Sequence, residues 1–192
     1  PTAAAFKAWK EGLTTAGIMD HDSVGGAQEF ILAADLLNIG ATVGFECRCS
    51  MQSTPFEGKR INNPDQVSVA YLACHGIPHQ NIDKVQNWLT PFREKRNVRN
   101  RKMVDNINQL LNGELNLDFE KDVCAISEFE NGGSVTERHI LYALALKICD
   151  LAGKGKATVK FLEDKLSLKL DDKTKSLLLD NNNSMYEYYL LG

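Results

Sequence analysis

The first part of the chain arranges its apolar and polar positions so that helices and strands are predicted in turn. A helix is predicted over residues 2–12, a short strand over 16–19, a helix over 24–38 and a second strand over 41–47. The helices repeat apolar residues three or four positions apart, whereas the strands are short apolar runs. This order predicts a strand, a crossover helix and a parallel strand, preceded by one helix.

The following segment is predicted to be extended and to contain a polar loop. Arg48 to Gln52 and Gln66 to Cys74 have the composition of strands. The loop between them, Pro55 to Pro64, is rich in Gly, Asn and Pro. This pattern leaves two arrangements open: a pair of extended antiparallel arms, or the next strand of a barrel.

The rest of the chain has helical periodicity almost throughout. The helices with recognisable ends cover about 81–112, 119–127 and 136–152. Two or three short helices are predicted to follow, the last one ending near residue 189. The change of pattern near residue 80 predicts an α/β segment over 1–80 and a helical subdomain over 81–192.

Charge and hydropathy narrow the classes of function. The 192 residues carry a formal net charge of −3 and have a pI of about 5.8, which argues against a general nucleic-acid or membrane partner. No apolar run approaches the ~20 residues of a membrane-spanning helix. The amino-terminal residues also lack the charged start and apolar stretch of a signal peptide. We therefore expect a cytoplasmic protein.

Cysteine spacing gives no sign of a zinc ribbon, because the sequence contains no Cys-x-x-Cys pair. We expect reduced thiols that act mainly as small, buried, apolar side chains. The five cysteines are Cys47, Cys49, Cys74, Cys124 and Cys149.

Polar side chains follow both strands of the predicted parallel pair. Asp20, His21 and Asp22 come directly after the first strand, and Glu46 lies where the second strand ends. The carboxyl ends of parallel strands meet at one edge of a sheet, where α/β folds place their chemistry. The sequence thus predicts a metal site or acid–base site there. The alternative is a helix cap, with Asp22 or Ser23 as the N-cap and Asp20 as a turn residue.

Two histidines, His75 and His79, follow the last predicted strand and flank a Gly and a Pro. A loop histidine is a candidate metal ligand or proton carrier. The alternative is a pair of exposed loop histidines without a chemical role.

A basic stretch, Arg93 to Lys102, lies in the long predicted helix. Arg96 and Arg99 fall inside its apolar stripe, and a buried guanidinium must meet an acid or an anion. Three alternatives stay open: a phosphate contact, an internal Asp or Glu partner, or a break in the helix. Without interleaved aromatic residues the stretch does not indicate a nucleic-acid groove. The stripe consists of Val85, Trp88, Leu89, Phe92, Met103, Ile107 and Leu110. The basic residues expected to be solvated are Arg93, Lys95, Arg101 and Lys102.

A Gly-rich turn, Gly132-Gly133, leads into the helix that begins near residue 136. Thr136 or Ser134 is the predicted N-cap, and Arg138 and His139 lie in the first turn. Taken alone, this pattern is typical of capping and surface charge.

Several of these motifs together resemble the PHP (polymerase and histidinol phosphatase) family of metal-dependent phosphoesterases. Gly17 to Gly26 resembles the family's Thr-Asp-His-Asp-Thr turn, and Gly44-Phe45-Glu46 resembles its Gly-Val-Glu strand end. Arg96 to Leu111 is similar to its Arg-x-x-Arg helix. Gly133 to Ala143 is similar to the Gly-x-x-x-Arg-Pro-His-x-Ala-x-Ala element of members that act on small phosphoesters.

The resemblance implies a distorted (β/α) barrel of seven strands with a predominantly helical insertion. It implies two or three divalent ions (Zn, Mn, Fe or Mg) that activate water against the ester of a small phosphorylated molecule. By the same resemblance, His21 is a metal ligand and Glu46 the bridging carboxylate, while Asp20 and Asp22 orient the imidazole. Arg138 and His139 correspond to residues on the phosphate side, and His75 is the candidate for a third ligand.

The chain also departs from the family pattern. The opening His-x-His motif and the later His and Asp-x-His ligands are missing, and Ala70 holds the place of a family histidine. The chain starts at Pro1 and ends on an apolar run, so we expect a piece of a longer protein that needs the remainder of the barrel. Such a fragment is expected to be inactive alone. The alternatives are a PHP-like binding or regulatory module that has lost ligands, and a helical interaction domain.

Overall fold

The computed structural model describes residues 1–190 as a mixed α/β protein with one three-stranded sheet among them. Its elements, in chain order, are α1 (Thr2–Lys10), β1 (Thr15–His21), α2 (Ala27–Leu36), β2 (Gly40–Ser50), β3 (Val69–His75), α3 (Ile82–Leu111), α4 (Glu137–Ala152), α5 (Lys156–Asp164), α6 (Asp172–Leu179) and α7 (Tyr186–Leu190). Short helical turns cover His79–Asn81, Phe119–Val123 and Cys124–Ile126. None of the helices in the described part of the chain is long and apolar enough to cross a membrane.

The chain folds into two compact units. Unit 1 contains Pro1–Lys95 together with Glu128–Ser134, and unit 2 contains Arg96–Ser127 with the described residues from Val135 onward. The division falls inside α3, and each unit is made of two separate stretches of sequence. A boundary near residue 80, between an α/β segment and a helical insertion, stays a prediction.

The sheet of unit 1 has the order β1-β2-β3. β1 and β2 are parallel from Thr15↔Gly40 to His21↔Glu46, as expected for strands joined by the crossover helix α2. β3 is antiparallel to β2, and Glu46 lies opposite Ala73. The antiparallel arrangement is thus the one realised, because β2 continues to Ser50 and takes up the start of the separate strand expected at Arg48.

Helices α2 and α3 cover one face of this sheet, which we call the helix face. It carries Val43 and Phe45, which pack against Ala27 of α2 and Leu89 of α3. Successive side chains of a strand point to opposite faces, so the register assigns the remaining strand residues. The opposite face, which we call the open face, carries His21, Glu46, Ala73 and His75.

The expected apolar stripe of α3 is wrong in part. Trp88, Phe92 and Leu110 are exposed, Leu110 to 84%, whereas Asn97 and Asn100 are buried. The core of unit 2 accommodates the amide of Asn100 because its Nδ2 donates to the carbonyl of Val135 at 2.9 Å, whereas Asn97 Oδ1 is buried without a hydrogen-bond partner. The rest of this core is apolar and consists mainly of Val104, Leu117, Phe119, Val123, Val135, Ile140 and Ala143.

Candidate functional site

The carboxyl ends of β1 and β2 bring His21 and Glu46 together. The two residues are register partners on the open face, and His21 Nδ1 lies 3.4 Å from Glu46 Oε2. Both side chains are half exposed, and the His21 ring lies 6.1 Å from the ring of Tyr71, centroid to centroid. Parallel pairing therefore unites an imidazole and a carboxylate at one sheet edge, where both remain accessible to a ligand.

Asp20 does not join this pair. Its register partner is Phe45, so its side chain is on the helix face, opposite to that of His21. A Cβ atom on Gly26 would lie 3.7 Å from Asp20 Oδ2, which places this carboxylate beside the start of α2. Desolvation at that position raises the pKa of Asp20. The expected convergence of Asp20, His21 and Glu46 is thus wrong for Asp20.

Asp22 occupies the turn after β1 in a left-handed conformation with φ of 50°. Aspartate tolerates this region better than most residues do. Its backbone N–H donates to the carbonyl of Glu46 at 2.8 Å, and its side chain is buried. Burial raises the pKa of Cys47 to about 12, and the hydrogen bond with Cys49 and the charges of Cys49 and Asp22 add to this rise. Asp22 therefore extends the pairing of the two strands through its backbone.

The helix-cap alternative for this turn is also wrong. Helix α2 begins only at Ala27, its N-cap is Gly26, and no side chain caps it. Ser23 is instead engaged in the turn itself, because its hydroxyl accepts from the N–H of Gly25 at 2.9 Å and donates to the carbonyl of Gly132 at 2.7 Å.

The carbonyl of Gly132 forms a junction that the sequence did not reveal. It accepts from Ser23 Oγ and from Gln86 Nε2, each at 2.7 Å, and also from Arg93 Nη1. Gln86 Oε1 in turn accepts from the N–H of Val24 at 2.9 Å. Gln86 and Arg93 are two helical turns apart on α3, and this spacing was the one signal available. The junction ties the turn after His21 to α3 within unit 1.

Arg93 is therefore not the solvated residue that was expected. It is half buried, its Nε atom is buried without a hydrogen-bond partner, and burial lowers its pKa. Its guanidinium also donates to Thr90 Oγ1 at 3.0 Å. Through its bonds to Gly132 and Thr90, this side chain has a structural role.

His75 lies on the open face but does not reach the His21–Glu46 pair. It is exposed and pairs with Gly44, so it is a diagonal neighbour of Glu46 across the sheet. Ala70 is buried opposite Cys49 on the helix face. A histidine at position 70 would thus point away from Glu46, and the residue directly beside Glu46 is Ala73. His79 is exposed in the short turn before α3.

Two of the four predicted phosphate-binding residues lie in α3, in unit 2, and both are half buried. Arg99 forms an ion pair with Glu137, which is the internal-partner alternative. Arg96 also has an interaction within the protein. Neither residue breaks the helix, which is continuous from Ile82 to Leu111. Their contact with a phosphate stays a prediction.

The other two, Arg138 and His139, lie in the first turn of α4. Thr136 is its N-cap, as predicted, and His139 completes a capping box by accepting the N–H of Thr136 on Nδ1 at 3.0 Å. Burial lowers the pKa of His139. Arg138 is exposed, so the structure gives the histidine a capping role and leaves the arginine accessible.

Replacing His139 with glutamine should remove a pH dependence of stability. Because burial lowers the pKa of His139, the folded protein binds this proton less readily than the unfolded chain, where the pKa is about 6.5. The stabilisation by the neutral ring is fully present above that pH and is lost as the pH falls toward the lowered pKa. Glutamine does not titrate, yet its amide oxygen can accept the N–H of Thr136.

Urea unfolding of wild type and His139→Gln, from roughly pH 4 to roughly pH 8, measures the effect. The difference in unfolding free energy should be flat at high pH and shift in favour of the variant below the ordinary histidine pKa. His139→Ala is the control for loss of the cap, and its unfolding free energy should be lower than that of the wild type across the whole pH range. A constant difference between wild type and His139→Gln would contradict the assignment.

The side chains at this sheet edge provide some of the ligands that a divalent metal requires. Imidazole and carboxylate are ligands for zinc, iron and manganese, and His21 and Glu46 offer one of each on the open face. Within residues 1–190, however, no group of three or more His, Cys, Asp or Glu side chains is arranged to hold a metal ion. Within the described residues, this edge therefore offers two candidate metal donors, one imidazole and one carboxylate.

One solved structure has a similar fold. It is the crystal structure of a protein from Bifidobacterium adolescentis that is provisionally assigned as a metal-dependent phosphoesterase, with a TM-score of 0.56 and 17% sequence identity. The match covers 89% of this chain and 51% of the other, so this chain spans about half the length of that protein. No protein-family model matches the sequence, and no curated protein matches it. At this identity the likeness establishes a shared fold.

Proposed function

We propose that this chain forms part of a PHP-type, metal-dependent phosphoesterase that hydrolyses a small phosphorylated substrate with metal-activated water. The observation that carries the proposal is the His21–Glu46 pair at the carboxyl ends of two parallel strands, with 3.4 Å between Nδ1 and Oε2. The likeness in fold to a protein assigned as a metal-dependent phosphoesterase supports it.

In this proposal His21 and Glu46 are two of the ligands of a divalent ion. The remaining ligands come from the rest of the barrel, which agrees with a chain about half as long as its structural neighbour. When bound, the metal supplies Lewis-acid polarisation of the phosphate ester and activates water. Zinc, manganese, iron and magnesium all fit this chemistry.

The residues of this chain then have distinct tasks. His21 Nδ1 and Glu46 Oε2 lie 3.4 Å apart, so these two atoms could bind the same ion. Asp20 is on the helix face, so it does not orient the imidazole. Asp22 holds the end of β1 to β2 through its backbone bond to Glu46. Arg138 is exposed in the helical part and is the candidate for contact with the phosphate.

Substitution of the two ligands tests the proposal. In the protein encoded by the complete reading frame, His21→Ala and Glu46→Gln should each lower metal content, and phosphate release from small phosphomonoesters should fall by roughly 100-fold or more. Metal is measured per chain by elemental analysis, and turnover by release of inorganic phosphate.

His79→Ala is the matched control, because His79 is an exposed histidine outside the sheet. It should keep both metal content and turnover. Circular dichroism of each variant separates loss of a ligand from loss of fold. Unchanged metal occupancy in both His21→Ala and Glu46→Gln would refute the assignment of these residues as metal ligands.

A second candidate is a PHP-like module that binds an anion without hydrolysing it. The observation in its favour is that residues 1–190 bring together only two of the expected ligands. This alternative predicts that a phosphorylated ligand binds equally well before and after treatment with a chelator, and that no phosphate is released. Binding that depends on added metal would favour the phosphoesterase.

A further inference from the structure

Two thiols lie side by side on the helix face of the sheet. Cys47 and Cys49 are two residues apart on β2, so they point to the same face, and their sulfur atoms are 3.5 Å apart. Both are half buried, and Cys47 packs against the apolar cluster under α2. Glu46, between the same strands, points to the open face, so this pair is separate from the site described above.

The sulfur–sulfur distance favours a bridging ion over a disulfide. A disulfide needs sulfurs about 2.05 Å apart and Cα atoms no more than about 6.8 Å apart, and alternate residues of a strand reach about that limit. An ion with metal–sulfur bonds of about 2.3 Å spans sulfurs that are about 3.5 Å apart with a bent angle of roughly 100°. The observed separation of 3.5 Å meets this requirement without movement of the backbone.

We propose that Cys47 and Cys49 form a dithiol site for a thiophilic divalent cation of the zinc class. Soft thiolate ligands select such ions. Two sulfurs in a bent arrangement occupy only part of the coordination sphere, so solvent molecules fill the other positions. Binding releases one proton from each thiol to the solvent and forms two metal–sulfur bonds without any change of oxidation state. The site does not depend on the proposed phosphoesterase activity.

Cys74 provides a matched control on the same sheet. It pairs with Phe45 on the helix face, is exposed, and is a diagonal neighbour of Cys47 across the two strands. It does not form a three-ligand group with the pair, because no such group exists within residues 1–190. Cys74 is thus a thiol on the same face but outside the pair. Its substitution distinguishes binding by the dithiol from binding by any cysteine of the sheet.

Titration of the reduced chain with Cd²⁺ tests the site, with the ultraviolet thiolate-to-metal charge-transfer band as the signal. The wild type should give this band at one Cd²⁺ per chain. Cys47→Ser and Cys49→Ser should each weaken binding at least ~10-fold, whereas Cys74→Ser and His79→Ala should leave the band unchanged. A full band in the Cys47→Ser/Cys49→Ser double variant, or an equal loss in Cys74→Ser, would overturn the proposal.

Differential alkylation of the wild type keeps the test valid if a serine variant fails to fold. Bound Cd²⁺ should protect Cys47 and Cys49 together from an alkylating reagent, as read by mass spectrometry of peptides. Cys124 and Cys149, which lie in unit 2, should react at the same rate with and without Cd²⁺. Protection of those two cysteines instead of the pair on β2 would refute the site.

Discussion

Gly44→Ala is expected to destabilise unit 1 by about 2 kcal/mol or more. A Cβ atom at this position would lie 2.5 Å from the carbonyl oxygen of Cys74 and 2.9 Å from Cε of Met19. The first of these is backbone of the paired strand, so β2 and β3 would have to separate to admit the methyl group. Because Glu46 follows two residues later on β2, the variant should also disturb the proposed metal site.

Tryptophan fluorescence during urea unfolding measures this effect, since Trp9 and Trp88 both lie in unit 1 and are the two tryptophans of the chain. Gly17→Ala is the graded control on β1. Its Cβ would lie 2.7 Å from Cγ2 of Thr42, an exposed side chain that can turn away, and 3.5 Å from the nearest backbone atom. Gly17→Ala should therefore lower the unfolding free energy by clearly less than Gly44→Ala does. Equal stability of Gly44→Ala and wild type would contradict the strand register.

Tyr186→Phe should destabilise unit 2 by roughly 2–3 kcal/mol although it removes a single oxygen atom. The hydroxyl of Tyr186 accepts from the N–H of Gly155 at 2.7 Å and donates to the carbonyl of Leu178 at 2.9 Å. Both bonds are buried, and the side chain has no exposed area. Phenylalanine keeps the ring contacts, so the cost comes from leaving two buried backbone groups without a partner.

The neighbouring tyrosine of α7 gives the control. Tyr188 is 53% exposed, so Tyr188→Phe should change the unfolding free energy by less than about 0.5 kcal/mol. Unfolding is followed by circular dichroism of the helices, because unit 2 contains no tryptophan. Equal losses of unfolding free energy in Tyr186→Phe and Tyr188→Phe would show that the hydrogen bonds of the Tyr186 hydroxyl do not stabilise unit 2 as described.

The local part of the fold was predictable from hydrophobic periodicity. A strand, a crossover helix and a second strand form a right-handed parallel unit, so the sequence pattern alone predicts that His21 lies beside Glu46. Side chains alternate between the two faces of a strand, so Asp20 and His21 point in opposite directions along β1. The triplet Asp20-His21-Asp22 therefore does not act as one unit.

Other features depend on contacts between residues far apart in sequence, which no local pattern encodes. The three donors on the Gly132 carbonyl come from positions 39 to 109 residues away. The polar side chain of Asn100 predicts an exposed position when its residue type is considered alone. In the fold it is buried and its amide donates to the carbonyl of Val135. Such partners are set by tertiary packing, which overrides the preference of each residue taken alone.

The Gly132 junction has a consequence for the order in which the protein is made. Ser23, Gln86 and Arg93 leave the ribosome well before their common acceptor, because Gly132 comes 39 positions after Arg93, the last of the three donors. At about 5–20 residues per second, translation of that stretch takes about 2–8 seconds. During this time the turn that follows His21 lacks the Gly132 carbonyl, so this turn and the candidate site beside it are completed only after Gly132 has been synthesised.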